Sequence, residues 1–97
     1  MNVKNLLAST QNFNPNYRCY YEKNKKCLPI SQLNYDTERH QLLLIAASTA
    51  EIAIKIHEIQ LICKILNSDT PIYILIDQQL NPFFGFKIIE RKKLYFR

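Results

Sequence analysis

Alternating apolar and polar positions dominate both ends of this chain, and a helical period occupies its middle. YRCYYEK at 17–23 is rich in aromatics and predicts a strand, with Asn24, Lys25 and Lys26 as its turn. LPISQLNYD at 28–36 alternates, sending Leu28, Ile30 and Gln32 to one side and Ser31, Leu33 and Tyr35 to the other. DTERH supplies a polar turn, and QLLLIAA at 41–47 is the continuous apolar run of a central strand. Further on, TPIYILID at 70–77 is β-branched and opened by a proline, as strands often are at an edge. QQLNP then turns the chain, FFGFKIIE at 83–90 predicts another strand, and ERKK turns into a last one, LYFR. Ahead of all these, residues 3–8 fit one or two helical turns before the polar loop STQNFNPN with its Asn-Pro turn signal.

Between the two strand groups, STAEIAIKIHEIQLICKILNSD predicts a helix over 48–67. Ser48 and Glu51 have capping-box spacing, Glu51 and Lys55 form an i,i+4 ion pair, and Asn67 followed by Pro71 ends the segment. Residues 50–57 also alternate in strand fashion, but the successive polar pair His57 and Glu58 breaks that pattern. Helical spacing yields a stripe of Ile52, Ile56, Ile59, Cys63 and Leu66, wide enough to cover a sheet. A second apolar stripe, Ala50, Ile54, Leu61 and Ile65, lies on nearly the opposite side with His57 in its gap. One stripe suffices for a helix on the outside of a domain. The second therefore predicts either a cover formed by Val3, Leu6, Leu7 and Phe13 of the N-terminal segment, or a docking surface.

These elements predict an α+β fold. It is a two-layer sandwich with one long central helix on a mainly antiparallel sheet of five to six strands, in the order βββ-α-βββ, preceded by a short helical turn. At 97 residues the length fits a single domain: an arm at 1–16, a meander at 17–47, the helix at 48–67 and a second meander at 70–97.

Charge changes the picture through its placement. Arg18, Lys23, Lys25 and Lys26 against Glu22 give residues 17–27 a local +3. Lys87, Arg91, Lys92, Lys93 and Arg97 against Glu90 give residues 86–97 a local +4, and residues 28–85 sum to −3. The odd set Cys19, Cys27 and Cys63 has no framework spacing, so reduced thiols and a cytoplasmic setting are expected. MNVKNLLASTQ has too short an apolar patch for a signal peptide, and charges interrupt residues 50–66, so no membrane insertion is expected.

Candidate chemistry is sparse. A single glycine, Gly85, excludes phosphate-binding glycine loops and a nucleophile elbow. His57-Glu58-Ile59-Gln60-Leu61 begins like a zinc-protease helix but carries Leu where the second His belongs. Asp77 at the end of IYILID has no identifiable acid or base partner, and no cofactor or metal site is readable. The residues therefore predict a small non-enzymatic interaction module, an adaptor, inhibitor or accessory subunit. It would bind a protein partner or a second copy of itself, as a homo-oligomer, through Ala50, Ile54, His57, Leu61 and Ile65. The alternative is nucleic-acid binding. Arg18, Lys23, Lys25, Lys26, Arg91, Lys92 and Lys93 would meet phosphates, and Tyr20 among the interleaved aromatics would stack on bases.

Overall fold

A computed structural model describes residues 1–46 and 51–97. Among these described residues seven strands form one mixed sheet, accompanied by two helices of eight residues each: α1 (Val3–Thr10), β1 (Arg18–Lys23), β2 (Lys26–Asp36), β3 (Gln41–Ala46), α2 (Ile56–Cys63), β4 (Ile72–Ile76), β5 (Gln79–Asn81), β6 (Phe86–Ile89) and β7 (Lys93–Phe96). The spatial order is β5-β4-β3-β2-β1-β7-β6. Four neighbouring pairs are antiparallel, while β1 with β7 and β3 with β4 are parallel. The expected two-layer sandwich built on one long central helix is thus replaced by a predominantly β structure. The first three strands do form a meander, but the last four divide into two hairpins that dock on opposite sides of it.

β2 is the hinge of this arrangement. Its first residues pair with β1, as Tyr21 with Leu28, and its later ones pair with β3, as Leu33 with Leu44. A register shift between Ile30 and Gln32 separates the two stretches. Leu28 and Ile30 face the core before it, and Leu33 faces the core after it. An extra residue in a strand exchanges its faces, which is why even-numbered inward positions give way to odd ones.

The sheet is strongly curled. Its outermost strands β5 and β6 would lie about 29 Å apart if it were flat, at ~4.8 Å per strand. Only residues 82–85 join them, a span of about 17 Å at full extension. Curling is therefore obligatory, and Phe83 in that connection meets Phe96 of β7 with ring centroids 5.2 Å apart. Inside the curl lie Ile30, Leu42, Leu44, Ile72, Ile74, Phe83, Leu94 and Phe96, all fully buried.

Both helices contribute to the same core. In α1 the Asn2 side chain accepts from the Asn5 amide at 2.8 Å, and Val3 and Leu6 are buried. Thr70 and Ser68 carbonyls accept from the first amides, Val3 and Lys4, so the helix start is held by the loop after α2.

The helix expected at 48–67 is cut to Ile56–Cys63. Ser48, and with it the expected capping box, lies outside the described residues. Residues 51–55 are not helical, and Ile54 explains why. Where β2 leaves β1 a wedge opens, and the Ile54 amide donates to the Ile30 carbonyl at 2.8 Å while its carbonyl accepts from the Cys19 amide at 2.9 Å. Strand-like pairing with two neighbours at once outweighs a helix propensity that isoleucine supports only weakly. The true start is set by Glu58, whose carboxylate accepts from the Lys55 amide at 2.8 Å. Ile56, Ile59 and Cys63 of the expected core stripe are buried and Leu66 is half-buried, but Ile52 is 80% exposed because it precedes the helix.

Candidate functional site

The two basic, aromatic segments, 17–27 and 86–97, become adjacent in space. β1 and β7 run parallel with Arg18 opposite Lys93, Cys19 opposite Leu94, Tyr20 opposite Tyr95 and Tyr21 opposite Phe96. β6 pairs antiparallel with β7, setting Lys87 opposite Tyr95. Cys19, Tyr21, Leu94 and Phe96 are buried. By the two-residue pleat, Arg18, Tyr20, Glu22, Lys93 and Tyr95 therefore turn outward, with Lys87 beside them. The outward basic side chains of the two segments thus gather on one outer half of the sheet.

At the centre of this face the Tyr20 and Tyr95 rings meet edge-on, with centroids 5.9 Å apart at 67°. The Lys93 ammonium stands 5.6 Å from the Tyr20 ring centroid, within cation–π range. Polar contact with the Cys27 thiol holds the proton on the Tyr95 hydroxyl and pushes its pKa up to about 12, and partial burial acts in the same direction. That hydroxyl is a hydrogen-bond donor throughout the neutral range. Arg97 lies 3.6 Å from Glu22 in a largely solvated ion pair that leaves the positive balance intact.

The remaining candidates sit around this centre. Lys25 projects from the β1–β2 hairpin at one end, and Arg91 and Lys92 from the β6–β7 hairpin at the other; all three are exposed, as is Lys26, which stands opposite Lys23 and shares its inward side. Two candidates have structural partners. Arg18 donates to the Ala53 carbonyl at 2.8 Å, tying down the segment before α2, and Lys23 turns inward to donate to the Asn81 side chain at 2.7 Å. Lys87, Tyr95 and Arg97, which belong to the second basic, aromatic segment, also lie on the face. The alternation Lys93, Tyr95, Arg97 signals that face, but the pairing with β1 is invisible along the chain.

The expected partner-binding stripe does not come together as a face. Ala50 lies outside the described residues, and Ile54 is half-buried against the core with both backbone groups paired. His57 is half-buried, and its amide donates to the Pro15 carbonyl. Only Leu61 and Ile65 are solvent-exposed, at 59% and 79%. Val3, Leu6, Leu7 and Phe13 pack into or against the common core. They do not cover Leu61 and Ile65.

Cys19, Cys27 and Cys63 are free thiols. Among the described residues no three His, Cys, Asp or Glu side chains gather where they could hold a metal ion, and no helix is long and apolar enough to cross a membrane. No protein-family model, curated protein or solved structure matches the chain.

Proposed function

We propose that the chain is a non-enzymatic nucleic-acid-binding protein that takes a single-stranded segment across the outer face of β1, β7 and β6. The observation supporting this reading is the parallel pairing of β1 with β7, which joins two basic, aromatic segments into one surface. Lysines and arginines at both ends of the face would neutralise phosphates, and the Tyr20–Tyr95 pair between them would offer aromatic surface to unpaired bases. Duplexes present no such bases, so single strands bind more tightly. Three free thiols fit a reducing cytoplasm.

Fluorescence anisotropy with single- and double-stranded oligonucleotides, from low to physiological salt, tests the reading. The logarithm of affinity falls linearly with that of salt. Reversing Lys92 and Lys93 to Glu, or Lys25 to Glu, weakens every sequence and flattens that slope. Tyr20→Ala weakens single-strand binding about 10-fold, at ~1–3 kcal/mol for one stacked base. Absence of binding at low salt, or binding indifferent to these substitutions, overturns it.

The exposure of Leu61 and Ile65 supports a second reading, docking of a protein partner or a second copy on α2. Light scattering at high micromolar concentration decides the self-association form. A monomeric wild-type chain, unchanged by Leu61→Asp, removes it.

A further inference from the structure

A cleft on the inner side of the sheet has a separate chemistry. It lies between the β1–β2 and β4–β5 hairpins, is lined by Lys23, Lys26, Leu28, Asp77, Gln79 and Asn81 among others, and has a volume of about 250 Å³. Lys23 shares the inward side of β1 with the buried Cys19 and Tyr21, so the cleft opens away from Tyr20 and Tyr95.

Asn81 organises the site. Its side chain is in a residue only 8% exposed, and its amide nitrogen is engaged by the Gln79 carbonyl at 3.1 Å and the Ile74 carbonyl at 3.4 Å. The amide oxygen is thereby aimed at Lys23, whose ammonium it receives at 2.7 Å. Lys23 is held in place with two of its three protons still available. Lys26 stands across the hairpin from it, and neither lysine is in an ion pair among the described residues. Two ammonium groups therefore face one carboxylate, that of Asp77.

We propose that this cleft binds a sugar phosphate monoester. A phosphate monoester carries close to two negative charges and three acceptor oxygens at neutral pH, a better match for two lysines than a carboxylate is. Asp77 is an acceptor-only group and calls for ligand hydroxyls, which a sugar supplies. Leu28 and Ile76 form an apolar wall for the carbon skeleton. The volume equals that of about eight waters at ~30 Å³ each, room for a phosphate and a pentose but below the ~300 Å³ where drug-sized sites begin. The same chemistry occurs on a free sugar phosphate and on the phosphorylated end of a nucleic-acid strand.

The full chain, ¹⁵N-labelled, is titrated with ribose 5-phosphate, ribose, inorganic phosphate, and one oligonucleotide with and without a 5′-phosphate. Ribose 5-phosphate produces saturable shifts at the amides of Lys26, Asp77, Gln79 and Asn81, and ribose produces none. Lys26→Gln weakens the binding at least 10-fold at unchanged melting temperature, and Asp77→Asn weakens ribose 5-phosphate while sparing inorganic phosphate. A 5′-phosphorylated oligonucleotide that moves the same amides at lower concentration than ribose 5-phosphate identifies a strand end as the source; the reverse order identifies the free ester. Tyr20→Ala leaves the ribose 5-phosphate shifts intact, so failure of the outer face to bind nucleic acid is distinguishable from failure of the cleft. No saturable shift at these amides, or shifts unaltered by Lys26→Gln, overturns the proposal.

Discussion

Seven described residues hold a left-handed backbone, and none is glycine. Six of them form the consecutive pairs Asn24-Lys25, Asp77-Gln78 and Glu90-Arg91, with φ between 49° and 66°; the first two pairs close two-residue hairpins and the third opens the three-residue β6–β7 loop. Two positive φ values in succession match the twist of the flanking strands, a geometry that usually recruits Asn-Gly or Asp-Gly. Asn24 and Asp77 suit the first position, while Lys25, Gln78 and Arg91 occupy the second against their intrinsic preference. This is why QQLNP reads as a plain turn: without a glycine after Asp77, nothing marks the short strand that follows.

The cysteines show the same dependence on surroundings. Burial pushes the Cys63 thiol up to about 11 from its ordinary 9.0, and burial, reinforced by the Glu58 charge, pushes Cys19 up as well. Cys27 is exposed. At pH 8 a thiol reagent should therefore label one cysteine per native chain and three after denaturation, with Cys27 the labelled residue. A raised thiol pKa means that the folded state keeps a proton the unfolded state gives up. The associated stability is complete below pH 9 and is lost as pH rises toward 11. The melting temperature should fall across that window, and Cys63→Ala should flatten the fall. An unchanged slope in Cys63→Ala would show that the group is not buried as described.

At the scale of elements, the segment before α2 is the instructive case. Its alternation and its helical spacing are both present in the residues, and each governs part of the segment. Ile54 is taken by strand-like pairing, whereas Ile56, Ile59 and Cys63 follow the helical stripe into the core. Carbon-13 shifts in solution should accordingly be extended-type at residues 53–55 and helical from Ile56 to Cys63. Helical shifts running back through Ile52 would restore the longer helix. The two short helices also lean on one another, since Gln60 donates to both the carbonyl and the hydroxyl of Thr10 at 3.1 and 3.0 Å. Helices of eight residues are marginal in isolation, so tertiary contacts of this kind are what keep them formed.

At the scale of the molecule, the parallel pairing of β1 with β7 joins the beginning of the chain to its end. Phe96, fully buried, contacts the Phe83 and Phe86 rings with centroids 5.2 and 4.9 Å away. Phe96→Ala should cost about 3–5 kcal/mol. Because the curl closes around this cluster, the loss should lower one common transition: circular dichroism and the exposure of Cys63 to a thiol reagent should report the same midpoint. Separate midpoints would mean that the C-terminal hairpin melts independently.

Local pattern alone determined much of this protein. Residues 17–23, 28–36, 41–47 and 70–77 announce strands because alternation and β-branching act between near neighbours. The phase change from Ile30 to Leu33 even encodes the bulge in β2. The clustering of basic and aromatic residues in 17–27 and 86–97 is equally plain in the residues. What lies between distant segments was decided only by the tertiary structure. Whether β7 joins β1 or extends its own meander depends on which docking buries Leu94 and Phe96 and satisfies the β1 edge. Whether Ile54 is helical depends on a wedge made by strands some 24 residues or more away in sequence. Side-chain preference is a property of the chain, but hydrogen-bonded edges and buried area are shared between segments, and sharing them requires the fold.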